Sequence, residues 1–108
     1  MVQEAGREYY RKKTNLTGFY QKLAPPFISG KMLVTDISFT GCSFDAPTKH
    51  YLLPDDTIRI TFPLNDARGS MIRKEAVVRK VDGYRIGCQF VALPGAYDPD
   101  LGFYLRNI

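Results

Sequence analysis

Tryptophan is absent from the 108 residues, histidine occurs once and cysteine twice. The lone His50 has no placed nucleophile and no second metal ligand at a useful spacing. That excludes the common zinc and triad patterns and leaves it a surface or packing role. Cys42 and Cys88 stand among apolar neighbours. Reduced core thiols of a cytosolic protein are the expectation, with a disulfide as the alternative. No apolar run approaches the roughly 20 residues of a membrane-spanning helix. The charged N-terminus lacks the apolar stretch of a secretory signal. No carboxylate pair is set for acid–base work and no glycine-rich loop opens a helix, so an enzyme is not expected. Internal repeats and low-complexity tracts are also missing, which leaves one small domain.

What is present is a core and a lopsided charge. The chain is 44% hydrophobic and 13% aromatic, enough to bury a core and too apolar for disorder. In residues 1–22 Arg7, Arg11, Lys12, Lys13 and Lys22 face only Glu4 and Glu8, so three of the four net positive charges lie there. A field concentrated at one end points to an anionic partner met by the N-terminal segment; a solvated basic tail is the plainer account.

Residues 1–13 show neither strand alternation nor a helical stripe and read as an extended arm. From Thr14 the pattern is β. LTGFYQKL and FISGKMLVTDIS are separated by APP, and Gly30 is a candidate bulge. GCSFDA puts Cys42 and Phe44 on one face. TIRITF alternates strictly, with Ile58, Ile60 and Phe62 inward. SMIRKEAVVRKV then returns as YRIGCQFVA, with Asp82-Gly83 as the expected centre of the hairpin and Tyr84, Ile86, Cys88 and Phe90 on one face. Near the C-terminus Asp98, Pro99 and Asp100 suit a helix start, and Leu101, Tyr104, Leu105 and Ile108 share its side. About six antiparallel strands followed by one docking helix predict an all-β Greek-key barrel over residues 14–108.

Within that pattern VTDISFTG interrupts an apolar approach with Asp36, Ser38 and Gly41. These form D-x-S-x-x-G on a loop after an early strand, while Arg7 and Arg11 form R-x-x-x-R about 25 residues upstream. Together with the final strand GYRIGCQF, the two motifs resemble the PilZ domain, a small β-barrel family. Its better-known members bind the bacterial second messenger cyclic di-GMP. The resemblance covers most of the chain. It implies ligand-binding roles for Arg7, Arg11, Asp36, Ser38 and Gly41, a bacterial cytoplasmic setting, and regulation of motility, biofilm or exopolysaccharide. It implies no cofactor beyond the ligand.

The chemistry of the residues agrees. Guanine presents O6 and N7 to a guanidinium fork, which also suits phosphate and stacks on bases. Its opposite edge carries two donors that a carboxylate such as Asp36 can accept. Ser38 can donate or accept, and Gly41 suits either positive φ or a close approach of backbone to a flat ligand. Asp36 and Ser38, two apart, would face the same way in an extended chain; a turn whose side chains satisfy loop amides is the alternative. Lys12 and Lys13 read as a general electrostatic contribution. The expected mechanism is an arm loosely held until the dianion folds it over the barrel, altering a surface for a downstream protein or fused domain. Gly6 stands where some relatives carry a further arginine, which favours one ligand per domain. Two other functions fit less well. One is a PilZ-type interaction scaffold without ligand. The other is a single-stranded RNA or DNA binder using Tyr9, Tyr10, Phe19 and Tyr20; its basic residues cluster on an arm and trace no groove.

Overall fold

The computed structural model describes residues 11–47, 49–91 and 104–105. Six strands are present: β1 (Lys12–Lys22), β2 (Ser29–Ile37), β3 (Gly41–Asp45), β4 (Thr57–Pro63), β5 (Met71–Asp82) and β6 (Arg85–Phe90). All pair antiparallel in a closed barrel of order β1-β2-β3-β6-β5-β4, with β4 returning to β1. The run β4-β1-β2-β3 is a Greek key, its long link being the connection from β3 to β4. No sheet edge is left open among the described residues, so every strand gives both sides of its backbone to a neighbour.

Alternation decides what fills the barrel. Ile58, Ile60 and Phe62 on β4, Ile72, Ala76 and Val78 on β5, and Ile86, Cys88 and Phe90 on β6 are buried. They meet Tyr20 from β1, Met32, Val34 and Ile37 from β2, and Cys42 and Phe44 from β3. Tyr20 stacks on Phe44 with ring centroids 5.9 Å apart and planes inclined by 24°. Three irregularities bend the strands enough to close the cylinder, between Lys13 and Leu16, Val34 and Asp36, and Val78 and Lys80.

Several expectations need correction. β1 begins at Lys12, not at Thr14; Lys12 and Lys13, expected in the arm, pair with Ile37 and Asp36. Gly30 is not a bulge. It sits in unbroken register opposite Tyr20, where a Cβ would lie 2.6 Å from the phenol oxygen, so its role is room for that ring. The β5–β6 turn is centred on Gly83-Tyr84, with Asp82 paired to Arg85. Gly83 alone adopts positive φ, 62°, the pattern of a type II′ turn, in which only the first central residue requires it. Tyr84 consequently lies exposed and does not share the inward face of Ile86. Tyr104 and Leu105 are helical and buried. Tyr104 donates to Asn65 through its hydroxyl, and Lys12 Nζ lies 3.8 Å from its ring centroid. The expected helix start at Asp98–Asp100 and the contacts of Leu101 and Ile108 lie outside the described residues.

Phe44 is wholly buried at the junction of β2, β3 and β6. Phe44→Ala is expected to cost about 3–5 kcal/mol of unfolding free energy. Urea denaturation followed by circular dichroism reads this as a lower midpoint.

Candidate functional site

Arg11 and Asp36, one from each sequence motif, are in contact. Arg11 Nε donates to Asp36 Oδ1 at 2.8 Å and its Nη2 lies 2.6 Å from the same oxygen. The carboxylate is nearly covered, with 12% of its side chain exposed, whereas 46% of the arginine side chain is open to solvent. Arg7 and Gly6 lie outside the described residues, as do Tyr9 and Tyr10.

The bulge explains how a carboxylate following Val34 comes to the outside. Val34 pairs with Phe44 inside the barrel, Asp36 with Ser43, and Ile37 with Cys42, which is again inside. The extra residue is Thr35, whose hydroxyl donates to the Ser43 carbonyl at 3.2 Å. Lys13 pairs with Asp36 from the other side. The carboxylate therefore lies on the outer wall next to the start of β1, where Arg11 reaches it.

Ser38 and Gly41 have structural tasks. Ser38 does not face the same way as Asp36; it lies past the strand end, wholly buried. Its hydroxyl accepts from the N–H groups of Thr40 and Gly41, both at 3.2 Å, and donates to the Gly41 carbonyl at 3.3 Å. The Ser38 N–H also donates to that carbonyl at 2.8 Å. This is the loop-amide alternative, realised at Ser38 and not at Asp36. Gly41 does not adopt positive φ. A Cβ there would sit 2.1 Å from the Cys88 carbonyl oxygen, so glycine is required by the approach of β6. Phe90 N–H, donating to the Thr40 carbonyl at 2.7 Å, ties the same loop to β6. Phe39, between these anchors, is exposed.

The thiols lie beneath the loop. Cys42 and Cys88 face one another across β3 and β6 as free cysteines, sulfurs 3.6 Å apart. The hydrogen bond to Cys88, together with burial, pushes the Cys42 thiol well up. His50 is a loop anchor: Nε2–H donates to the Gly83 carbonyl at 2.8 Å and Nδ1 accepts from Leu52 N–H at 2.9 Å. No cluster of three potential metal ligands occurs among the described residues. Nor is any described helix long and apolar enough to cross a membrane. Further along the outer wall Arg85 pairs with Asp45, and that hydrogen bond raises the Arg85 pKa, with smaller help from the charges of Asp36 and Asp82. Of the aromatic dipeptide on β1, Phe19 is exposed and Tyr20 is buried in the core. Tyr20 is therefore removed from any stacking platform.

The family model of the PilZ domain matches residues 6–105. The chain belongs to the PilZ family. Solved PilZ folds superpose on it at low sequence identity. The PilZ domain of YcgR from Escherichia coli, determined with c-di-GMP, gives a TM-score of 0.65 at 18% identity, covering 96% of this chain and 87% of that one. The PilZ domain of CeSA from a cellulose-synthesizing bacterium gives 0.62 at 14%, covering 90% and 91%. The Bacillus subtilis inhibitor of motility MotI/DgrA gives 0.74 at 18%, covering 97% of this chain and 51% of that protein. The chain thus spans about half the length of that inhibitor. No curated protein sequence matches it.

The contact at Gly41 generates a test of the PilZ loop. Gly41→Ala forces β3 and β6 apart and is expected to lower stability by about 1–3 kcal/mol. Thermal unfolding of the purified variant measures the loss.

Proposed function

We propose that this PilZ domain is a receptor for cyclic di-GMP that carries out no chemistry of its own. The observation that carries the reading is the Arg11–Asp36 pair, which joins the two motifs at one point on the outer wall. The fold it shares with the YcgR domain determined with c-di-GMP supports the choice of ligand.

The geometry refines the division of labour. A guanidinium has five N–H donors in a fixed plane. Asp36 engages Nε and Nη2 through one oxygen, which leaves three N–H groups and the exposed face of the plane. Arg11 is then the ligand contact, aimed at a guanine edge or a phosphate. Asp36 is its positioning residue, and what little of the carboxylate is exposed lies at the same spot. Ser38 and Gly41 act one step further back, holding the loop that holds Asp36. Arg7, four residues before Arg11, supplies a second cation from the arm, and the dianion draws it toward the Arg11 already held on the barrel wall. Ligand-driven ordering of residues 1–10 is the output, read by a downstream protein or a fused domain. Charge matching favours a compact dianion over a polynucleotide: Tyr20 is in the core, and Arg59, Arg79 and Arg85 are each paired with a carboxylate.

Calorimetric titration with cyclic di-GMP tests the assignment. Arg11→Ala and Asp36→Ala are each expected to lose at least tenfold in affinity, since a hydrogen bond to a charged group contributes about 1.5–3 kcal/mol. The double variant should bind no worse than Arg11→Ala alone, because Asp36 acts through Arg11. Unchanged binding in both single variants would remove the site.

A further inference from the structure

The chain has two cysteines, 46 residues apart, and the fold sets them face to face. Cys42 on β3 and Cys88 on β6 are direct register partners, and both side chains belong to the core. Beside them the interior positions of these strands hold Phe44, Ile86 and Phe90, ordinary core hydrophobes. Packing alone asks only for an apolar side chain of suitable size at either cysteine. It gives no reason for two thiols to meet.

The backbone is set for a bond between them. Phe90 N–H donates to the Thr40 carbonyl and Ala46 N–H to the Tyr84 carbonyl, and the β3–β6 register runs unbroken between. Hydrogen-bonded pairs alternate along an antiparallel ladder, so Cys42 and Cys88 form one, with Cα atoms about 5.5 Å apart. Disulfides most often bridge Cα atoms about 5.5–6 Å apart. The sulfurs already lie 3.6 Å from one another. Closing that gap to about 2.05 Å takes side-chain rotation and no movement of either strand.

The two thiols differ in access. Cys42 is sealed, whereas 7% of Cys88 is exposed. The hydrogen bond from Cys42 lowers the Cys88 pKa against the effect of burial, with further help from the charge of Arg11, while Cys42 is pushed up. Cys88 is therefore the thiolate and Cys42 the partner that keeps its proton.

We propose that Cys42 and Cys88 form an oxidisable dithiol, which a small hydroperoxide converts into a disulfide stapling β3 to β6 behind the Ser38–Gly41 loop. The site stands apart from whatever the outer wall binds. The Cys88 thiolate attacks one peroxide oxygen and the O–O bond breaks. Cys88 becomes a sulfenic acid, and the hydroxide released takes up a proton and leaves as water. The Cys42 sulfur then attacks the Cys88 sulfur, the S–O bond breaks, and that hydroxide leaves with the Cys42 proton as a second water. Two thiols lose two electrons and the peroxide gains them. In a reducing compartment the pair rests as thiols and closes only under oxidant.

The test treats the reduced wild-type chain with hydrogen peroxide and follows intact mass, free thiols and non-reducing peptide maps. The expected product is a monomer lighter by two hydrogens, with no free thiol and with the Cys42 and Cys88 peptides joined. It should melt several degrees higher than the reduced chain, because the closed loop restricts the unfolded state, and dithiothreitol should reverse both changes. Cys42→Ala is expected to hold a sulfenic acid at Cys88 that dimedone traps, and Cys88→Ala to leave Cys42 unreacted. Thiols that survive peroxide in the folded wild type, a disulfide between two chains, or oxidation that stops at Cys88 would each overturn the staple. These wild-type outcomes decide the matter even if a variant fails to fold. Oxidation of Cys42 in a folded Cys88→Ala chain overturns the assignment of Cys88 as the thiol that reacts first.

Discussion

One extra residue in β2 determines where the chemistry lies. Val34 and Ile37 are both wholly buried although three positions apart, which an unbroken pleat forbids because successive side chains alternate. The bulge absorbs the difference. Without it Asp36 would share the inward face of Val34 and enter a core built from Phe44, Phe62 and isoleucines. A carboxylate there would lose its water with no cation in reach, a far larger loss than an irregular ladder. With it, Ile37 fills the core and Asp36 meets Arg11 outside. Core packing and site geometry are satisfied by the same irregularity.

That bulge leaves a trace in the sequence. Met32 and Val34 alternate, and then Ile37 arrives one residue late; the same slip recurs on β5, where Val78 is followed by Val81, which packs against the core beside Ile86. A jump from a spacing of two to one of three is the trace an inserted residue leaves in an apolar pattern. Gly30 was the less informative signal, because glycine in a strand reports either bending or crowding and a linear pattern does not say which. Here the crowding comes from Tyr20, one strand away. The strict alternation of β4 and the strand content were readable because each buried side chain obeys a local rule. The centre of the β5–β6 turn was misplaced by one residue because Asp82-Gly83 and Gly83-Tyr84 both put glycine where positive φ is needed.

At the site, the two motifs are legible in spacing and chemistry, but the direct pairing of Arg11 with Asp36, whose side chains were expected to converge only around a ligand, is not. What spacing could not carry was depth. Ser38 and Asp36 look equivalent in D-x-S-x-x-G, yet Ser38 is sealed under its own loop while Asp36 reaches the outer wall. In the sequence Gly41 suits either positive φ or the close approach of a ligand; in the fold the close approach is that of β6, through the Cys88 carbonyl. The close approach at Gly41 comes from a strand that lies 46 residues downstream, Cys88 facing Cys42, and only register brings that strand alongside.

The Arg11–Asp36 pair is a poor device for stability and a good one for aim. An ion pair with its arginine half exposed is screened and contributes about 0–1 kcal/mol, too little to explain why a bulge should present a carboxylate there. Its geometry is more restrictive than its energy: two donors converge on one oxygen, so the guanidinium plane is held while its other donors remain available. The support beneath is stiff, because Ser38 closes the loop on itself and Phe90 ties it to β6. On the receptor reading the barrel side of the site is formed in advance, so little binding energy is lost in ordering it. A receptor that must convert a small anion into a large change of surface needs such a wall, since one that yielded would absorb the signal instead of passing it on.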